Sequence, residues 1–212
     1  MVKDEKNQQA TPVDTVPEQV TGDQTDNVHE HTASSSYEAD KLYSLAVDRL
    51  LNVNQWGDVA GLVSATFRLT DTEGVLAKRN VWENDYIRID IPGPGTEAGD
   101  GYDWVKVERI DESEDHESDT AYVSLTVRPA SNPTNEKDET AHFFDDEATS
   151  TFIVRKDRNR VIAEIHGRNE RPNNSSASKM DKLRNKVVAG SARTFFSNIQ
   201  WSNLAKGFVH PA

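Results

Sequence analysis

Apolar residues recur along this chain in two rhythms, helical near its ends and alternating between them. After a polar opening, Leu42, Leu45, Ala46 and Leu50 fall on one helical face, widened by Tyr43, Val47 and Leu51. Ser35 followed by Glu38 has the spacing of a capping box, so a helix is expected to start there. It ends near residues 52–56, where NVNQWGD supplies turn chemistry, and Trp56 reads as an anchor of the helix against a sheet.

From Leu62 the period drops to two. SATFRLT leads into the turn Asp71-Thr72-Glu73-Gly74 and a second strand over residues 75–81. Tyr86, Ile87, Ile89 and Ile91 make the next strand, and Tyr102, Trp104, Val107 and Ile110 another. Residues 121–128 alternate most cleanly, with Val123, Leu125 and Val127 on one face, and Pro129 stops them. Residues 151–155 and 160–166 form a hairpin around Lys156-Asp157-Arg158-Asn159. The connection 129–148 is the longest between strands, carries the apolar island Ala141-His142-Phe143-Phe144, and is by its length a candidate for function.

Residues 178–209 read as one long C-terminal helix with Ser178 as its N-cap. Met180, Leu183, Val187, Ser191, Phe195 and Ile199 make a stripe that would cover the open face of the sheet. Glycine within a helix costs about 1 kcal/mol against alanine. Gly190 and Ser191 at mid-helix therefore imply a close backbone approach or room for a ligand. Trp201, Leu204 and Phe208 fall on a different face, which offers a surface to a protein partner. The expected class is α+β: an antiparallel meander of six or seven strands covered by the long helix, with one N-terminal helix. Residues 1–34 lack apolar periodicity and are expected to be a disordered acidic tail, leaving 35–212 as a single domain.

Charge changes this picture little. The net charge is −12, which argues against nucleic acid or an anionic membrane as partner. The acids concentrate in residues 1–36, 111–119 and 134–147, while residues 155–212 hold twelve Lys or Arg against four acids. The simpler reading is acidic loops lying over basic elements of the same molecule. Cysteine is absent, which excludes disulfides, thiolate metal sites and a cysteine nucleophile. No apolar run reaches the length of a membrane span and the N-terminal residues lack a signal peptide's apolar stretch, so a cytoplasmic protein is expected.

Candidate chemistry is sparse. The loop PGPGTEAGDGYDW lacks the phosphate-binding pattern, and Glu97, Asp100 and Asp103 match no calcium loop, so its glycines serve turns. His29 and His31 around Glu30 are an incidental polar stretch. His142, close to Asp145, Asp146 and Glu147, is the one candidate for acid/base work. His166 reads as a strand residue with a satisfied hydrogen bond. The basic hairpin of Arg155, Lys156, Arg158 and Arg160 lacks the interleaved aromatics of a nucleic-acid surface. No cofactor and no metal site is expected.

The order of leading helix, antiparallel meander and long amphipathic C-terminal helix resembles the helix-grip fold of the Bet v 1, START and polyketide-cyclase-like superfamily, over residues 37–209 and by element order alone. That fold opens with a strand ahead of its first helices; none is read ahead of Ser35. The resemblance implies an apolar ligand held between sheet and C-terminal helix, with Val187, Ser191 and Phe195 on the helix and Tyr86 and Trp104 on the strands as cavity-facing residues. The expected function is a non-catalytic binding module for an apolar small molecule. The alternative is a subunit of a larger assembly that docks through Trp201, Leu204 and Phe208, and a third reading is a cavity enzyme using His142 or an acid.

Overall fold

The computed structural model describes residues 15–61, 65–91, 96–135, 139–173 and 197–211, with side chains from residue 201 onward in the last segment. Seven strands form one antiparallel sheet: β1 (Asp23–Thr32), β2 (Thr66–Thr70), β3 (Tyr86–Asp90), β4 (Asp103–Asp115), β5 (Thr120–Pro129), β6 (Thr149–Asp157) and β7 (Arg160–Glu170). Between β1 and β2 lie α1 (Ser36–Leu51), a single 3-10 turn and α2 (Trp56–Ala60), and α3 (Ser197–Phe208) follows the sheet. The spatial order is β1-β7-β6-β5-β4-β3-β2, so the meander from β2 to β7 is completed by β1 returning to pair with the last strand.

The helix starts as expected, with Ser35 as its N-cap and its hydroxyl accepting from the Glu38 amide. Ala39, Leu42, Ala46 and Leu50 of α1 are buried against the inner face of the sheet, where Val107, Leu125, Phe152, Val154, Val161, Ala163 and Ile165 alternate inward. Trp56 is fully buried. Its indole N–H donates to the carbonyls of Leu50 and Arg49 at 3.0 and 3.2 Å, satisfying acceptors that the end of α1 leaves open. Its ring lies 4.6 Å from Phe152, 5.5 Å from Phe67 and 6.1 Å from Phe208. α2 and α3 touch backbone to backbone, since a Cβ on Gly207 would meet the Val59 carbonyl oxygen at 2.1 Å. The Arg49 guanidinium donates to the carbonyls of Gly207, Phe208 and His210 and so caps the C-terminus of α3.

Four expectations are corrected. The segment taken as disordered carries β1, paired residue by residue with β7 from Thr25 to Thr32. Its inward residues Thr25, Asn27, His29 and His31 are polar, so it shows no apolar rhythm. It is held instead by the backbone ladder and by side chains: Asp26 on His166 at 2.5 Å and on Arg168 at 2.8 Å, and His29 on Ser202 of α3 at 2.8 Å. The strand expected over residues 75–81 is reduced to one bridge, Leu76 to Thr70, because Asn54 and Leu51 take the Ala77 carbonyl and the Val81 amide. The acids of residues 111–115 lie on β4, which extends beyond its apolar part.

The fourth correction concerns the proposed partner surface. Leu204 and Phe208 are 1% and 0% exposed, and Trp201 packs on Phe67 and Phe152 at 6.1 and 5.3 Å. Their spacing of three, four and seven is the core face of α3 itself; phasing the helix from residues 180–199 assigned it outward. Positions 178–196, with Val187, Ser191 and Phe195 among them, lie outside the described residues.

Two outcomes follow from this architecture. Leu204→Ala should cost about 2–5 kcal/mol in chemical denaturation, as for a buried leucine, whereas a docking residue would leave stability unchanged. Deleting residues 1–34 should abolish the cooperative thermal melt, and a truncated chain that melts like the whole would remove β1 from the account.

Candidate functional site

At one end of the sheet, where β3, β5 and β7 finish and β2, β4 and β6 begin, the core does not close. An apolar cavity of about 60 Å³ remains between the inner face and α3. Its walls are Phe67, Ile87, Ile89, Val105, Val127 and Phe152 on the strands, with Trp56 of α2 and Trp201 of α3 opposite. The β5–β6 connection folds over it, bringing His142, Phe143 and Phe144 to its rim. This loop is held by Asn173, whose side-chain amide donates to the carbonyls of Thr140 and His142 at 2.9 and 3.1 Å, and by bonds from the Asp145 amide to the Arg171 carbonyl and from the Asn173 amide to the Phe143 carbonyl. The long connection thus carries the lid of the cavity.

The polar end of the cavity is built by a register shift. Along β7, Val161, Ala163, Ile165 and Gly167 point inward, and strict alternation would send Glu170 out. Between the pairs Thr25–Gly167 and Asp23–Glu170 the register slips, and Asn169 adopts φ +57°, turning Glu170 inward. Asparagine tolerates this left-handed conformation. Its side chain is also fully engaged, accepting from the Val20 and Thr21 amides at 2.8 and 3.0 Å and donating to the Glu18 carbonyl at 3.0 Å. The Glu170 carboxyl then folds back over Gly167, where an added Cβ would lie 2.2 Å from Oε1. The absence of a side chain at 167 leaves it that space.

Glu170 is 5% exposed and accepts a bond from the Thr25 hydroxyl at 3.3 Å. Burial, only partly offset by Thr25 and the Arg168 charge, pushes its carboxyl up to about 7. Thr149, also in the wall and 2% exposed, has no hydrogen-bond partner for its hydroxyl among the described residues. His142 is 5% exposed, stacks on Phe143 with 4.2 Å between ring centres, and accepts the Phe144 amide on Nδ1 at 3.0 Å, which places the proton of its neutral ring on Nε2.

The sequence candidates divide. His142 is at the site. Tyr86 and Trp104 are not: they sit on the opposite face of the sheet, in a second small cluster with Ala98, Tyr102 and Ala141, and the Trp104 indole donates to the Gly99 carbonyl at 3.2 Å. Alternation decides this, since Ile87, Ile89 and Val105, which do line the cavity, are their strand neighbours. Glu170 was missed, and the only sign of it in the sequence is Gly167 three positions before a polar strand end. His166 bonds Asp26 and Glu164 on the outer face, which raises it above its ordinary value against the effect of burial. Asp100 is engaged by Asn132, and among the described residues no group of three or more His, Asp or Glu is placed to hold a metal ion.

An opening strand, two helices, six further antiparallel strands and a C-terminal helix packed on their inner face, with a cavity beneath it, define the architecture. This is the helix-grip fold. No protein-family model and no curated protein matches the chain. Among solved structures it is similar to the major latex-like protein 151 of Panax ginseng, at 11% identity and TM-score 0.31 over 80% of this chain and 95% of that one. It is also similar to truncated norcoclaurine synthase of Thalictrum flavum, at 12%, 0.35, and 92% and 100%. A third is protein Ms6760 of Mycobacterium smegmatis, at 13%, 0.39, and 88% of each chain. At these identities and scores the likenesses carry no argument about ligand or chemistry, which rest on the residues above.

The raised carboxyl of Glu170 has a defined stability signature. Its protonated form is favoured by folding, so its contribution is fully present below pH 4.5 and is lost as pH rises to about 7. Glu170→Gln should flatten that fall and be more stable than the natural chain above pH 7, by about 3 kcal/mol. The stability that His166 contributes is likewise lost as pH rises above its ordinary value, so the difference between the two proteins, measured by urea denaturation from pH 4 to 9, isolates Glu170. Parallel curves would remove it from the buried end of the cavity.

Proposed function

We propose that this chain is a binding module that holds a slender apolar small molecule between the inner face of the sheet and α3. The observation that supports it is the partly covered cavity itself: aromatic and branched aliphatic walls, a lid with its own hydrogen-bonded frame, and a few buried polar groups gathered at one end. A fully packed core of this size has no reason to leave Thr149 unsatisfied or to bury Glu170, and each costs stability unless something else uses it. Cavities of this kind accept molecules in proportion to their shape. One engineered apolar cavity of about 150 Å³ takes benzene. The present space of about 60 Å³ is smaller, and would take the end of a linear chain while the rest lies along the opening bordered by Phe143, Phe144 and Trp201, all half-exposed or less.

The reading as a docking subunit loses the residues on which it rested, since Leu204 and Phe208 are in the core. The cavity-enzyme reading keeps His142 and gains Glu170; of the two hydroxyls in the lining, Thr149 and Ser150, the buried one of Thr149 has no hydrogen-bond partner among the described residues and so no base to activate it.

n-Hexanol, a linear probe with one polar end, should raise the melting temperature. At ten times its dissociation constant the stabilisation is about 1.4 kcal/mol, or roughly 3–6 °C. Ala148→Leu, which grows a side chain from the cavity wall into the space, should abolish the shift while leaving the fold intact. A hexanol shift that survives in Ala148→Leu would place the ligand elsewhere.

A further inference from the structure

The cavity holds one acid that nothing in it balances. None of its described lining residues is Lys or Arg. Asp23 stands directly opposite Glu170 in the β1–β7 register, and Asp26 lies three residues further along β1. The nearest cation, Arg168, has its guanidinium on Asp26 at 2.8 Å, on the outer side of the sheet. Asp23 and Asp26 therefore stand near Glu170, and the Arg168 guanidinium is held on Asp26 rather than on the Glu170 carboxyl. In the same lining, the buried Thr149 hydroxyl has no hydrogen-bond partner among the described residues. Trp56, Trp201, Phe143 and Phe144 belong to the same lining, and an aromatic ring favours a cation over an anion at its face.

We propose that the ligand of this cavity is a slender apolar molecule carrying a basic nitrogen, whose ammonium pairs with the Glu170 carboxylate and donates a hydrogen bond to the Thr149 hydroxyl. This rests on the binding reading above and adds the chemical class. A fatty acid or other carboxylate of the same length is disfavoured, because it would set a second anion against Glu170 in a lining whose described residues include no Lys or Arg. A neutral alcohol fits the walls but leaves Glu170 without a counter-charge. An ammonium, in contrast, stabilises the ionised carboxylate in surroundings of low dielectric, where an opposite charge at contact is worth most. The two register devices, the left-handed Asn169 and the bare Gly167, then have a common purpose: they aim one carboxylate at the ligand's nitrogen.

The test is a matched series: n-hexylamine, n-hexanol and hexanoate, titrated by isothermal calorimetry at pH 8 in 150 mM salt, the salt suppressing weak attraction of amines to an acidic protein. The amine should bind at least tenfold more tightly than the alcohol, and hexanoate should not bind. Glu170→Gln should reduce the amine to the affinity of the alcohol and leave the alcohol unchanged. The natural chain offers a check that needs no variant. With Glu170 titrating about 7, its ionised fraction rises about tenfold from pH 6 to pH 8, and the amine's affinity should rise with it while the alcohol's stays flat. The charged groups acting on or near Glu170 are Asp23 and Asp26 of β1, Arg168 of β7, His142 of the lid and, through its bond to Asp26, His166 of β7, and an imidazole is the side chain whose ordinary range lies near neutrality. His142→Gln and His166→Gln should each therefore retain the amine's pH dependence. Equal binding of amine and alcohol, or an amine preference that persists in Glu170→Gln, would overturn the inference and leave the binding module standing. Failure of all three probes would overturn both.

Discussion

Trp56 is where the parts of this molecule meet. Its indole N–H closes the end of α1, and its ring touches β2 through Phe67, β6 through Phe152 and α3 through Phe208, so one side chain fixes the distance between the helices and two well-separated strands. A tryptophan suits this role because it spans the gap with a rigid surface while placing its single polar atom where an acceptor is already waiting. The α2–α3 contact through Gly207 and the Arg49 cap on α3 are consequences of the same placement, since both require the two helices at backbone distance.

The cavity is the part of the core that Trp56 does not fill. The leucines and alanines of α1 pack against β5 to β7, while toward the ends of β3, β5 and β7 the wall residues leave space and residues 142–144 reach its rim. Both helical and strand elements around this space are held by local bonds that do not involve a ligand: Asn169 on residues 18–21, Asn173 on the lid, His29 on α3. A site held by its own scaffold changes little on binding and loses less to ordering. Its polar end is correspondingly specific. A buried glutamate turned inward by a register shift is an expensive arrangement to keep in a core that otherwise packs by apolar contact, and the module's chemistry turns on it.

Much of the fold was legible because it is written in period. The N-cap at Ser35, the alternation of Val123, Leu125 and Val127, and the hairpin at Lys156-Asp157-Arg158-Asn159 each appear where local pattern put them. What escaped was carried by the backbone or by exceptions to period. β1 is polar on its inward side and is a strand because β7 offers it a ladder, so no reading of its side chains could find it. Tyr86 and Trp104 drew attention as large aromatics, yet a one-residue step in a strand exchanges faces, and their neighbours Ile87 and Val105 are the ones that line the cavity. Glu170 lies inward only through the left-handed turn at Asn169, a feature that depends on tertiary contacts with residues 18–21.

The account turns on one ionisable group, and that group can be watched directly. With the glutamate side-chain carboxyl carbons labelled by ¹³C, the Glu170 resonance, assigned by its loss in Glu170→Gln, reports its protonation across pH. In the free protein its midpoint should lie about 7, well above the ordinary glutamate value, and saturation with n-hexylamine should drive it down as the ammonium stabilises the carboxylate. A midpoint near 4.5 in the free protein, unmoved by the amine, would contradict both the buried end of the cavity and the chemistry assigned to it.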